Sequence, residues 1–244
     1  MNSKNETNDR TVLITGAGKR LGKSMALALA ENGWNILIHY GSDAKAAEDT
    51  GHEVEKIGRK AWVFQADFNK PIHTEEVFKE QIKIYNPQAL INNASIFENY
   101  KMMETDLDIW VRHQNINLTS PFIISKIFSE NLAGKPGTIL NMLDWRALRP
   151  GREHFAYTIS KAGLAAMTSA MALALAPQIQ VNGIALGAIL PPENPDNLEQ
   201  LIKRLPIPRW AEMEELHQTV LFFLNGPGYI TGEIIHLDGG RHLI

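Results

Sequence analysis

Apolar and polar positions along the 244-residue chain alternate between two periods. Short runs rich in Val, Ile and Leu recur at 11–15, 34–40, 61–66, 89–93, 138–143, 179–184 and 233–237. Runs of this length that are apolar throughout, with no regular in–out alternation, predict strands covered on both faces. Between them the apolar positions take helical spacing. Leu21, Met25 and Leu29 form one stripe that stops at Gly33. Further helices are expected at about 43–57, 72–85, 105–132, 157–176 and 212–224. Seven strands alternating with helices predict a single α/β domain over residues 11–244, built on a doubly wound parallel sheet. Residues 1–10 are polar and are expected to be a disordered tail, with neither a signal peptide nor an anchor.

In such a sheet ligands bind beyond the carboxyl ends of the strands. The polar sets of this sequence fall at those ends: Gly16–Gly22, His39–Ser42, Asp67, Asn93–Phe97, Asp144 and Gly187. The first set joins a strand to a helix through glycines. That context suits a phosphate cradle, because glycine lets the backbone come close and a helix N-terminus offers free N–H groups. The second strand ends in His39-Tyr40-Gly41-Ser42, where an NAD-selective site usually carries an acidic residue. With Lys19 and Arg20 in the turn, cations and a hydroxyl suit a 2′-phosphate and point to NADP(H). Asp43 weighs against this if it faces the ribose. A solvated turn would also account for Lys19 and Arg20.

The stretch 144–161 is expected to hold the chemistry. It ends in Tyr157-Thr158-Ile159-Ser160-Lys161, and residues four apart share a helix face, roughly 6 Å apart along the axis. A phenol has a pKa of about 10, and a nearby ammonium would ease loss of its proton. Tyr157 is therefore a candidate proton donor. A surface Tyr and a surface Lys would explain the same pattern. Asp144 could likewise be a strand-end carboxylate paired with Arg146, Arg149 or Arg152.

Composition narrows the classes. Apolar residues make up 44% and the net charge is −3, so no basic field argues for nucleic acid or an anionic membrane. No uninterrupted apolar run approaches the ~20 residues needed to span a bilayer. The absence of cysteine excludes disulfides, thiolate nucleophiles and Cys-ligated metals; it fits a reducing, cytoplasmic compartment. The eight histidines show neither H-x-x-x-H nor H-x-H spacing, and no metal site is expected. His52 and His73 are placed on helices away from the strand ends, and Met102, Met103 and Trp110 are expected to pack rather than touch a cofactor.

Taken together, Thr15–Gly22, Asn92-Asn93-Ala94-Ser95, Asn117, Tyr157–Lys161 and the closing 229–240 resemble the short-chain dehydrogenase/reductase family over essentially the whole chain after residue 10. That resemblance implies a Rossmann-type fold and a nicotinamide cofactor. Tyr157 would be the proton donor, and Lys161 would bind the nicotinamide ribose. The cofactor set carried over is Gly16, Lys19, Arg20, Leu21, His39, Tyr40, Ser42, Asp67, Phe68, Asn93, Ala94, Ser95, Tyr157, Lys161, Gly187 and Ile189. The family also implies a homotetramer using the helices at 105–132 and 157–176.

Asn117 lies four residues before Pro121, which has no N–H to pair with its carbonyl. The family uses water held at such a carbonyl to connect the lysine to solvent. Where the family commonly has Pro-Gly after the sixth strand, this chain has Leu186-Gly187. The segment at about 188–212, rich in proline, is expected to be a substrate loop.

Three departures resemble the pteridine reductase branch: Arg20 for the middle glycine of the turn, Ser95 for the glycine after Asn-Asn-Ala, and Asp144 for the catalytic serine. Phe97 fits the same branch, where an aromatic stacks on the pterin. The implied substrate set is Arg20, Ser95, Phe97, Asp144 and Tyr157, with Asp144, Tyr157, Lys161 and Asn117 as the catalytic set. The expected activity is NADPH-dependent reduction of a pterin or dihydropterin. A 3-oxoacyl thioester or other carbonyl reductase is the alternative enzyme, and an NADP-binding regulator without catalysis is the alternative class.

Overall fold

The computed structural model describes residues 10–189 and 202–244. Residues 1–9 of the expected N-terminal tail, and residues 190–201 of the expected substrate loop, lie outside the described residues. Seven parallel strands form one sheet in the order β3-β2-β1-β4-β5-β6-β7. They are β1 (Thr11–Ile14), β2 (Asn35–Tyr40), β3 (Ala61–Gln65), β4 (Ala89–Asn92), β5 (Gly137–Asp144), β6 (Ile179–Leu186) and β7 (Ile234–Leu237). The order reverses between β1 and β4, which opens a crevice at their carboxyl ends.

The helices are α1 (Arg20–Glu31), α2 (Ala44–Lys56), α3 (Pro71–Tyr85), α4 (Leu107–Gln114), α5 (Ser120–Leu132), α6 (Phe155–Leu175) and α7 (Met213–Asn225). Strand alternation sends Val12 and Ile14 to one face, with Met25 and Leu29 of α1, Val54 of α2 and Val220 of α7. Leu13 points to the other face, with Phe78 of α3, Phe128 of α5 and Ala172 of α6. Both faces of the sheet are therefore dry, and the strands read as apolar runs for that reason. By length and composition α6 could cross a membrane. Here it packs on β5 and β6, with Leu164 and Ala165 buried.

The region expected as one helix at 105–132 is broken. A π-helical turn, Asn115–Thr119, separates α4 from α5, and Pro121 stands in the first turn of α5. Proline removes a backbone donor, and the wider turn absorbs the loss without ending the helical path. The expectation that Met102 and Met103 pack inside is wrong: they form an exposed 3₁₀ turn, 65% and 93% accessible. Trp110 is half-buried against Phe155, with ring centroids 6.2 Å apart.

Candidate active site

The glycine turn after β1 is held shut by hydrogen bonds from β2 and β4. Gly16 takes φ +66°, and a Cβ on Gly22 would run into the Gly16 carbonyl and the Asn93 amide. Asn93 Nδ2 donates to the carbonyls of Thr15 (2.8 Å) and Gly16 (3.2 Å), while the Asn93 and Ala94 N–H groups both donate to Thr15 Oγ1 at 2.9 Å. Asn93 and Ala94 thus set the shape of the turn. Arg20, the first residue of α1, also adopts positive φ (+49°). A glycine would take that conformation freely, whereas an L-residue pays roughly 1–2 kcal/mol. An Arg kept in this conformation places a guanidinium at the mouth of the turn.

A cleft of about 1160 Å³ runs along the carboxyl ends of the strands. Gly16, Lys19, Arg20, Leu21, His39, Tyr40, Ser42, Asp67, Phe68, Asn93, Ala94, Ser95, Gly187 and Ile189 all line it, together with Phe97, Asp144, Tyr157 and Lys161. Of the expected catalytic, cofactor and substrate residues, Asn117 alone stands behind the wall. Its amide is fully used: Oδ1 accepts from Ser95 Oγ and the Ile96 N–H, both at 3.0 Å, and Nδ2 donates to the Ile96 carbonyl (3.1 Å) and Ser160 Oγ (3.0 Å). The π turn carries Asn117 into reach of both the loop after β4 and α6.

His39, expected among the cofactor residues, lines the cleft as a neutral ring and adds no charge for a 2′-phosphate. It is 2% accessible, and burial pushes its pKa down to about 4. Nδ1 accepts from the Gly16 N–H at 3.2 Å, Nε2 donates to the Ala66 carbonyl at 3.0 Å, and the ring stacks on Phe68 at 4.4 Å. It is a neutral strut between the glycine turn and β3. Asp43 is already paired with Lys19 at 2.5 Å and caps α2 through the Ala46 N–H at 3.0 Å. Its charge is therefore compensated, and the exposed Lys19 can exchange this partner for another anion at little cost. The placement of His73 away from the strand ends is also wrong. α3 starts directly after β3, and His73 and Lys70 both line the cleft. Only proximity in the fold reveals these two.

At the far end, Tyr157 donates its hydroxyl to Asp144 Oδ2 at 3.0 Å. Asp144 is the last residue of β5, and its Oδ1 accepts from the Arg146 N–H at 2.8 Å and sits 3.6 Å from the Arg146 guanidinium. The strand-end ion pair and the hydrogen bond to Tyr157 are thus made by one carboxylate. Lys161 is buried and donates to the Met142 carbonyl at 2.7 Å; its ammonium is 5.9 Å from the centre of the Tyr157 ring. Burial lowers Lys161 to about 8, with Asp144 pulling the other way. The expected depression of Tyr157 is reversed: burial, then the charge of Asp144 and the hydrogen bond to it, push the phenol well above its usual value.

Phe97 is 54% accessible but not bare. His154 stacks on it at 4.0 Å, the Tyr157 ring meets it edge-on at 4.7 Å, and the Arg146 guanidinium lies 5.4 Å from its centre. His154 holds a left-handed conformation (φ +55°) before α6 and binds the Glu98 carbonyl through Nδ1 at 3.0 Å. Its role in this wall has no sequence signal, because it depends on one backbone angle.

A glycine turn at a switch point, a crevice of dinucleotide size and a Tyr–Lys pair on one helix face coincide here. The family model described as enoyl-(acyl carrier protein) reductase matches residues 16–242. The chain belongs to the short-chain dehydrogenase/reductase family. It is 29% identical to the 3-oxoacyl-[acyl-carrier-protein] reductase FabG of Staphylococcus epidermidis, over 96% of this chain and 100% of that one. It is 30% identical to the 3-oxoacyl-[acyl-carrier-protein] reductase of a Synechocystis strain, over 95% and 96%. In three dimensions it resembles FolM alternative dihydrofolate reductase 1 of Brucella canis, solved as a complex with NADP. That similarity has a TM-score of 0.89 at 34% identity and covers 98% of this chain and 96% of that one. As a short-chain dehydrogenase/reductase the chain is an oxidoreductase, which sets aside the reading as a regulator without catalysis.

Proposed function

We propose that the chain is an NADPH-dependent reductase of a pterin or dihydropterin. The observation that carries the reading is the Asp144–Tyr157 pair at 3.0 Å, where a family serine would stand, beside the wall of Phe97 and His154. A serine hydroxyl suits a carbonyl oxygen, to which it donates as charge develops. A reduced pterin ring needs a proton on a ring nitrogen, and a carboxyl group can relay one.

The cleft residues fit the cofactor. The closed glycine turn and the N-terminus of α1 would take the pyrophosphate. Lys19, Arg20 and Ser42 would take the 2′-phosphate, and Lys161 the nicotinamide ribose. NADPH, when bound, supplies the hydride. Lys161 stays charged below about pH 8 and steadies negative charge on the pair. Tyr157 gives its proton to the ring nitrogen, and the pair it forms with Asp144, one proton short after the step, is reloaded from solvent. Arg20 and Phe97 would hold the planar substrate, and Ser95, tied to Asn117, would fix the loop that carries Phe97.

The second reading, a 3-oxoacyl thioester reductase, is favoured by the names of the relatives in sequence. Turnover with NADPH of a dihydropterin, an oxidised pterin and a 3-oxoacyl thioester, with NADH as control, separates the two. Reduction of a pterin with NADPH supports the proposal, and reduction of the thioester alone overturns it. A cytoplasmic homotetramer completes the reading, supported by apolar side chains left exposed on α4 (Leu107), α5 (Phe122) and α6 (Leu173).

A further inference from the structure

Beside the proton pair stands a basic group that this mechanism does not use. Trp145 directly follows β5, and its ring is approached by two guanidiniums, Arg146 at 4.9 Å and Arg241 at 4.3 Å. Arg146 is largely buried, with 18% of its side chain accessible, and it reaches both Phe97 and Asp144. Arg241 belongs to the closing turn, Arg241–Leu243. That turn is pinned in place. Asp238 accepts from the Gly240 and His242 N–H groups at 2.9 Å and from His242 Nδ1, and Arg149 donates to the His242 carbonyl at 3.0 Å.

The carboxylates nearby are already engaged. Asp238 closes the turn, and Asp144 is shared between Tyr157, the Arg146 N–H and, at 3.6 Å, the Arg146 guanidinium, which leaves Arg241 the less compensated of the two. Burial pushes Arg241 below the usual guanidinium value, and Arg146 pushes it the same way, with Asp144 and Asp238 opposing. Two like charges kept together in a half-dry place oppose folding. The indole face offsets part of that cost, and an anion between the two would offset more. The group borders the substrate end of the cleft, next to Phe97 and away from the glycine turn where the cofactor phosphates belong.

We propose that Arg146 and Arg241 form a subsite for an anionic group, a carboxylate or a phosphate, carried by the substrate beyond the ring that is reduced. On the pterin reading, on which this rests, the substrate is a pterin with an acidic side chain rather than a neutral one. Arg241 is then a specificity-determining residue that acts on binding and not on proton transfer.

The test is binding to the protein loaded with NADP⁺, by calorimetry at low salt. The ligand arms are folate for a carboxylate, 6-hydroxymethylpterin as the neutral reference, and its phosphate ester. Acetoacetyl-coenzyme A and neutral acetoacetyl-N-acetylcysteamine form a second charged and uncharged set. The charged member should bind at least about 10-fold more tightly, the scale of charge-assisted hydrogen bonds, and the gap should shrink as salt rises. Arg241→Gln should reduce the gap to about 2-fold or less, Arg241→Lys should restore most of it, and kcat for any substrate reduced should stay unchanged while KM for the charged one rises. Equal affinity for charged and neutral ligands, or a preference that survives Arg241→Gln, overturns the proposal. Binding confined to the thioester set with the charge preference intact sinks the pterin reading and keeps the subsite; binding of neither set contradicts both. If Arg241→Gln does not fold, the same comparison is made with Arg241→Met, and failing that through the salt dependence of the native protein.

Discussion

Tyr157 donates its hydroxyl to Asp144 at 3.0 Å, so the residue that most raises the cost of a Tyr157 phenolate is also its hydrogen-bond partner. Lys161, one turn further along α6, directs its ammonium to the Met142 carbonyl instead of the phenol. The pair is therefore set to hold and hand over a proton rather than to remove one. Tyr157→Phe keeps the ring against Phe97 and removes the proton. Turnover should fall roughly 10²–10⁴-fold, the usual weight of a general acid, while NADPH binding followed by fluorescence stays within about 2-fold. Unchanged turnover would remove Tyr157 from the mechanism.

Lys161 is lowered from 10.5 to about 8 by burial, and activity and stability should respond to it in opposite directions. Its folded-state pKa lies below its unfolded one, so the folded protein binds fewer protons between pH 8 and 10.5. The burial penalty is complete below pH 8 and is relieved as pH rises through that window. kcat/KM should fall over the same rise, as the charge is lost. Lys161→Met should abolish turnover yet leave the protein about 1–3 kcal/mol more stable at pH 7, in line with other buried charges replaced by apolar groups. Urea unfolding at pH 7 reads the second effect, and a destabilised variant would mean the Met142 contact outweighs burial.

His39 gives the protein an acid-sensitive strut. Its pKa of about 4 lies below the unfolded value of 6.5, so its contribution is complete above pH 6.5 and is lost as pH falls towards 4. Protonation would place a proton on Nδ1 and break the contact with the Gly16 N–H, while Nε2 keeps donating to the Ala66 carbonyl. Stability should drop by about 3 kcal/mol across that window. His39→Gln should flatten this part of the curve, and a native profile that is already flat would contradict the assignment.

Asn117→Ala should act on structure first and on chemistry through it. The substitution leaves the Ile96 N–H without its acceptor and removes one partner each from the Ser95 and Ser160 hydroxyls and the Ile96 carbonyl. Losses of about 2–4 kcal/mol are expected for a buried network of this size, and kcat should fall as the loop bearing Phe97 loosens. Thermal unfolding and steady-state rates of the same preparation check both. A fully stable but inactive variant would instead place Asn117 in the proton path itself.

The fold was legible because both faces of the sheet are covered, which leaves each strand as an apolar run between glycine or proline stops. The Tyr157–Lys161 spacing and Asp144 at a strand end were legible for the same reason: their positions follow from element boundaries. Charge states were not. His39 stands beside the cationic turn, yet burial against Phe68 keeps its ring neutral. His73 reads as a helix residue far from the site, yet α3 begins so soon after β3 that it lines the cleft. The wall of His154 and Arg146 on Phe97 depends on one left-handed residue and a 3₁₀ turn, neither of which leaves a period in the sequence. The broken helix around Asn117 hinted at itself through Pro121, but the π turn that aims the side chain did not.

The most direct test of the account exchanges Asp144 for the family serine. With NADPH in excess, kcat/KM would be measured for a dihydropterin and for a 3-oxoacyl thioester, in the native protein and in Asp144→Ser. The account predicts that the native protein prefers the dihydropterin and that the exchange lowers pterin reduction at least about 100-fold, with thioester reduction held or raised. A native preference for the thioester, or a variant that reduces the pterin as well as the native protein does, would contradict the claim that the Asp144–Tyr157 pair selects the chemistry.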